Sequence, residues 1–165
     1  ARLIANQMGL PLLVYHGIDE RYPHASYRHH KFLLEGARDL EKEAADMGVD
    51  YLLHVSRKGH RQPVLKLLSE DAAVIVTDLV DLDPWSDWSD AIAKIRTLIE
   101  VDAHCVLPRQ VFGRSVDRPF KFKNSTKRMV NARKGVNWPV CDVPITRMSE
   151  LYDPVSYTHL TLPTT

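Results

Sequence analysis

Ala72-Ala73-Val74-Ile75-Val76-Thr77-Asp78 is the stretch whose reading decides the fold of this chain. Five apolar residues, three of them β-branched, end in a polar pair. Acidic or turn-forming residues stand on both sides, Glu70 and Asp71 before it and Asp81, Asp83 and Pro84 after it. Continuous rather than alternating hydrophobicity suits a strand covered on both faces, as in a parallel sheet with helices above and below. A buried helical segment is the competing reading. The run is short for a helix and rich in Val and Ile, so a strand over 72–78 is expected. In open α/β sheets ligands sit beyond the carboxyl ends of the strands, which singles out Thr77 and Asp78.

Upstream, Arg2 to Met8 reads as the last turns of a helix closed by Gly9. Leu12-Leu13-Val14-Tyr15-His16 is a short apolar strand ending at Gly17, after which Asp19 to Pro23 turns. A long helix is expected from about Ser26 to Met47, with Leu33, Ala37, Leu40, Ala44 and Met47 on one face, Arg38, Glu41, Lys42 and Asp46 largely away from it, and Gly48 as terminator. Tyr51 to Val55 is the next strand, and Pro63 starts a short helix carrying Val64, Leu65, Leu67 and Leu68.

Downstream, Asp83 as cap and Pro84 at the first position open a helix. Trp85, Trp88, Ile92, Ile95 and Ile99 repeat at three- and four-residue steps. The helix ends near Arg96, because Leu98 to Val101 reads as a fourth strand. Helices and strands alternating through short connections mean a parallel α/β sheet with right-handed crossovers. The same strand-end rule adds His16, Gly17 and Asp102 to Thr77 and Asp78 as candidate cofactor-binding residues.

After Cys105 the texture changes. Nine Lys and Arg between Arg109 and Lys134 stand against the single acid Asp117, with Phe112, Phe120, Phe122 and Trp138 interleaved and no clear period. An extended linker or an incomplete second element is expected over 109–154. Lys121, Lys123, Lys127 and Arg128 are candidate phosphate contacts, and the Phe residues could stack on bases. A linker docking on an acidic helical domain explains the same charges equally well.

Composition sets the frame. An apolar share of 44% and a charged share of 26% are ordinary for a soluble globular domain. The net charge of +1 does not itself indicate a nucleic-acid partner. Two cysteines, Cys105 and Cys141, without a CxxC pairing, fit a reducing compartment and read as inert. There is no run long enough for a membrane span and no signal-peptide pattern at Ala1–Gly9, so a cytoplasmic protein is expected. The start at Ala1 reads as a point part-way through a helix, and Val155 to Thr165 as a non-native, adapter-derived tail.

Three groups of residues together resemble the amino-terminal light-harvesting domain of the photolyase/cryptochrome family, most like class II DNA photolyases. They are Ala5-Asn6 with Gly9-Leu-Pro-Leu-Leu-Val14; Tyr22-Pro-His-Ala25 with Arg28-His29 and Phe32-Leu-Leu-Glu-Gly36; and Val76-Thr-Asp78, Trp88, Val101-Asp-Ala-His104 and Pro108. The resemblance spans 1–108 and departs after Pro108. It implies a doubly wound, Rossmann-like parallel sheet that lacks its first, central strand, with strand order 51–55, 12–16, gap, 72–78, 98–101. It implies a parent enzyme, a deoxyribodipyrimidine photo-lyase that repairs cyclobutane pyrimidine dimers in UV-damaged DNA with light and FAD, or a related photoreceptor. The flavin belongs to a helical domain, so this part would hold at most a deazaflavin or folate antenna and be inactive in repair alone. Family members are monomers, and the exposed sheet edges of such a fragment would favour aggregation. The alternative is a free-standing nucleotide-binding α/β module without repair activity.

Several residues invite sharper readings. His24, His29 and His30 lack zinc-type spacing, and adjacent helical residues point to different faces, so no metal site is expected. Asp102 and His104 share one side of a strand end, but no nucleophile accompanies them; a hydrogen-bonded terminus is expected rather than acid–base catalysis, and no catalytic residue is assigned. Trp85 and Trp88 read as helix core rather than as an electron-transfer pair.

Overall fold

A computed structural model of the chain describes residues 1–137. Residues 138–165, including Trp138, Cys141 and the expected tail over 155–165, lie outside the described residues. The chain divides into two units, one containing Ala1–Leu68 and one beginning at Ser69.

In the first unit, helix α1 (Arg2–Met8) ends as its sequence dictates. Gly9 adopts the left-handed conformation at φ 62°. From there the Leu10 N–H reaches the Ala5 carbonyl at 3.0 Å, satisfying an acceptor that the helix leaves open. Strand β1 (Leu13–Asp19) follows, then helix α2 (Tyr27–Asp46) and strand β2 (Asp50–Ser56). Ser26 caps α2, its hydroxyl accepting the His29 N–H at 3.3 Å. Of the expected α2 stripe, Ala37 is 1% exposed and Ala44 is buried, whereas Leu40 and Met47 are exposed. The two alanines bring the helix backbone close to its neighbours, and Ala44 packs with Val49, Leu12 and Tyr51. Leu40 and Met47 fall on the trailing edge of the stripe, outside that contact.

Strands β1 and β2 pair in parallel, from Leu13 opposite Asp50 to Asp19 opposite Ser56. The ladder continues one residue further, the Glu20 N–H donating to the Ser56 carbonyl at 3.1 Å. The expected strand ended at Gly17, but β1 runs through it to Asp19. Gly17 interrupts the apolar pattern without interrupting the strand. It lies opposite His54, and a Cβ there would meet the Tyr15 ring at 3.0–3.3 Å. Ile18 beyond it is buried and resumes the core-facing pattern.

Helix α3 (Val64–Asp71) leads to the second unit's strand β3 (Ile75–Asp78), helix α4 (Trp85–Ala93), strand β4 (Leu98–Val101), short helix α5 (Arg109–Phe112) and helix α6 (Pro119–Arg133). β3 and β4 are parallel, with Ile75 opposite Leu98 and Asp78 opposite Val101. β4 has its expected bounds, while β3 is only the last four residues of the 72–78 run. Arg96 donates to the carbonyls of Ser69 and Glu70, fixing the turn before β4.

Two expectations fail in this unit. α4 starts at Trp85 without a side-chain cap, so Asp83 does not serve as one. Trp88 is 50% exposed and Trp85 also lies outward, leaving Ile92, at 8%, as the buried residue of the expected stripe. Trp88 and Ile92 lie about 40° apart on the same helix face, so burial varies along that face, deep at Ile92 and half open at Trp88 one turn earlier. The stretch over 109–154, expected as an extended linker or an incomplete second element, contains in its described part the 15-residue helix α6. Its buried residue is Thr126, whose hydroxyl donates to the Phe122 carbonyl at 2.8 Å. A helix whose buried position is a threonine shows no apolar period.

The described strands therefore form two two-stranded parallel sheets, β1–β2 and β3–β4. These are the two neighbour pairings that the expected order requires. The architecture is mixed α/β.

Candidate functional site

In the first unit, the sheet β1–β2 carries two reciprocal tyrosine–histidine bonds. His16 Nδ1 lies 2.7 Å from the Tyr51 hydroxyl, and the Tyr15 hydroxyl lies 2.9 Å from His54 Nδ1. Successive residues of a strand point to opposite faces, so each face of the pair bears one such bond. Burial lowers the His16 pKa below its usual 6.5 and raises that of Tyr15. His16 and Gly17 thus sit within the strand rather than beyond its end.

The true carboxyl end of this pair is a charged cluster that the sequence reading passed over as a turn. Asp19 accepts the Arg21 N–H at 2.8 Å and its guanidinium, and that pairing holds the carboxyl down at about 2. Glu20 accepts the Lys58 N–H at 2.6 Å and the Arg61 guanidinium at 2.7 Å, and Arg61 keeps its carboxyl below the ordinary range. Opposite it, the His60 N–H closes a tight turn on the Arg57 carbonyl at 2.8 Å, with Gly59 at φ 83°. The signal was legible as Arg57-Lys58-Gly59-His60-Arg61, a glycine turn among cations immediately after a strand.

In the second unit the expected residues do converge. Thr77 and Asp78 lie opposite Glu100 and Val101 at the end of the β3–β4 pair, and Asp102 follows directly. Asp78 is exposed. Asp102 accepts the Arg109 N–H at 3.1 Å and the Cys105 N–H at 3.2 Å, one on each carboxylate oxygen. The Arg109 bond leads the lowering of its pKa. Asp102 is therefore an organiser of the loop between β4 and α5, and an ion pair between Asp81 and Arg109 borders it. Cys105 is free and exposed, its thiol pushed up by desolvation and by the Asp102 charge, which leaves it a poor nucleophile at neutral pH.

Helix α6 gathers the four candidate phosphate contacts. Lys123 and Lys127 are one turn apart and Lys121 and Arg128 two turns apart; at 3.6 residues per turn they spread over an arc of about 160° that excludes Thr126. All four are exposed, and Lys121 is partly neutralised by Asp117 at 2.9 Å. The other side is anchored: Phe122 meets Phe112 edge-on with centroids 5.3 Å apart, and Arg133 Nε donates to the Val106 carbonyl at 2.9 Å. Arg114 lies over the Phe112 ring at 5.3 Å, so this cation is held locally. Phe112 and Phe122 meet each other, although Phe122, like Phe120, stays exposed.

His24 and His29 flank Tyr22, with ring centroids 5.6 and 6.0 Å from it. Among the described residues no group of three or more His, Cys, Asp or Glu is placed to hold a metal ion. No described helix is long and apolar enough to cross a membrane.

No protein-family profile matches the chain. Over 106 residues, 63% of its length, the chain is 34% identical to a deoxyribodipyrimidine photo-lyase of Methanothermobacter thermautotrophicus. That stretch covers 23% of the relative, so the chain spans under a quarter of the protein it resembles.

Proposed function

We propose that this chain is the α/β antenna part of a photolyase-related, class II-like light-dependent repair protein of the cytoplasm. The observation that carries the reading is the 34% identity to a deoxyribodipyrimidine photo-lyase over 106 residues. Two parallel strand pairs, each joined through a helix, agree with a doubly wound sheet as the fold of the parent. The similarity favours this reading over a free-standing nucleotide-binding module.

In the reading, cyclobutane-dimer repair by a reduced FAD is the work of the whole protein, and the chain's contribution is to hold a deazaflavin or folate and pass on its excitation. The chemistry is that of the chromophores, and the protein orients them. Thr77, Asp78 and Asp102 at the end of the β3–β4 pair are assigned to chromophore binding, with His16 and Gly17 of the β1–β2 pair as the separate alternative. Lys121, Lys123, Lys127 and Arg128 on α6 are assigned to the phosphates of damaged DNA. The domain plan is an antenna domain over 1–108 followed by a connecting segment in which α6 lies.

The test is to titrate the purified chain with a deazaflavin and, separately, with a methenyl-folate, following chromophore fluorescence anisotropy. Saturable binding of one of them at one per chain supports the antenna role. Failure of both to bind rejects it.

A further inference from the structure

The charged turn after β2 answers to no part of that function. Glu20, one residue past the end of β1, holds it from the neighbouring strand: one carboxylate oxygen accepts both the Lys58 N–H and the Arg61 guanidinium. Within the turn, the His60 N–H closes on the Arg57 carbonyl. These bonds use main-chain atoms of Arg57, Lys58 and His60 and leave their side chains exposed. Arg21 is offset by Asp19 and Arg61 by Glu20, so the local surplus is the two positive charges of Arg57 and Lys58.

We propose that the Arg57–Arg61 turn, braced by Glu20, is a binding site for the phosphate group of a small phosphorylated ligand. Two cations match the two charges of a phosphate monoester or of one end of a pyrophosphate, and charge-assisted hydrogen bonds from Arg and Lys are the strong ones for such oxyanions. The turn stands at the carboxyl end of a parallel pair, where α/β sheets receive their ligands. Its bracing removes part of the ordering cost that a free loop of cations would meet on binding. The site stands apart from the chromophore and DNA assignments and does not depend on them.

The experiment is calorimetric titration of the full chain with inorganic pyrophosphate at low ionic strength, beside three variants: Arg57→Ala with Lys58→Ala, Glu20→Gln, and Asp90→Asn as a control remote in sequence and exposed on α4. Saturable binding is expected, weakened about tenfold in the combined Arg57→Ala, Lys58→Ala variant, whose main-chain bonds to Glu20 and His60 remain available. Glu20→Gln separates a built site from mere charge. It makes the cluster more positive, so diffuse attraction alone tightens binding, whereas loss of the brace weakens it; weakening of about threefold or more is expected. Asp90→Asn should leave pyrophosphate binding unchanged. Absence of saturation, indifference to the loss of both cations, tighter binding by Glu20→Gln, or an equal response to Asp90→Asn overturns the proposal. Single-stranded DNA binding by the chain that pyrophosphate cannot displace, and that the Arg57/Lys58 change abolishes, also overturns it, since the turn is then a nucleic-acid contact.

Discussion

His16 Nδ1 and the Tyr51 hydroxyl are 2.7 Å apart across the parallel strands β1 and β2. With the imidazole neutral and Nδ1 unprotonated, the phenol donates and the histidine accepts. Protonation of Nδ1 turns the acceptor into a second donor and breaks that arrangement. The same bond with the roles exchanged between strands, Tyr15 to His54, lies on the other face.

Stability is therefore expected to fall on mild acidification. Burial puts the folded His16 pKa below 6.5, so between the folded and unfolded values the unfolded chain binds more protons. The contribution is complete above about 6.5 and is lost as pH falls toward the folded value. Asp19, held at about 2, titrates well below this window. Melting temperature measured from about pH 7 to about pH 5 should decline, and His16→Gln should flatten the decline. An equal slope in the variant refutes the assignment.

Gly17→Ala should cost about 1 kcal/mol, the scale of one hydrogen bond. The new Cβ meets the Tyr15 hydroxyl at 3.0 Å, and that hydroxyl is held by His54. Moving the ring aside breaks the bond. Combined with Tyr15→Phe, the loss should be less than the sum of the two single losses, measured as a denaturation double-mutant cycle. Additive losses would mean that the alanine acts elsewhere.

On α4, Trp88→Ala should cost under about 1.5 kcal/mol, because half of the side chain already meets water. Ile92→Ala, at the buried position of the same helix, should cost about 2–4 kcal/mol. Urea denaturation of the two variants gives the order directly. The reverse order would put the indole, not Ile92, in the interior.

Removal of Lys123 and Lys127 together, as alanines, should weaken binding to double-stranded DNA and lower the slope of log affinity against log salt by about 2, one for each phosphate no longer neutralised. Asp117→Asn should do the opposite, since it frees Lys121 from its 2.9 Å partner. Filter binding at several salt concentrations reads both. A slope unchanged by the double substitution removes α6 from the DNA surface.

Asp102→Ala should loosen the loop between β4 and α5 without affecting the β3–β4 pairing. The carboxylate accepts the Cys105 and Arg109 N–H groups, and the substitution leaves both without that acceptor. Faster hydrogen exchange at those two amides, with the amides of Ile75 and Leu79 unchanged, is the expected pattern. Uniform acceleration would make Asp102 a global stability residue instead.

Local chemistry in the sequence determined most element boundaries. Gly9 and Gly48 end helices because a left-handed residue is needed there and glycine adopts it without a Cβ clash. Ser26 starts α2 through a bond to an amide three residues away, and Leu98–Val101 is a strand with the bounds its apolar run suggests. The parallel pairings β1–β2 and β3–β4 likewise follow from alternation of helix and strand.

What only the tertiary structure decided depends on partners distant in the chain. Gly17 reads as a strand end until Tyr15 and His54 are seen to occupy the space beside it. Trp88 and Ile92 share one stripe of α4, and the period alone does not say that packing covers Ile92 and leaves Trp88 half exposed. α6 escapes periodicity because its contacts run through Thr126, a ring pair and an arginine on a carbonyl rather than through an aliphatic stripe. The Arg57–Arg61 turn is a run of cations in the sequence; Glu20, 38 and 41 residues away from its two donors, turns it into a fixed object. Hydrophobic periods and caps act within a few residues and are written locally, whereas charge pairing and burial phase are set by whatever the fold places opposite.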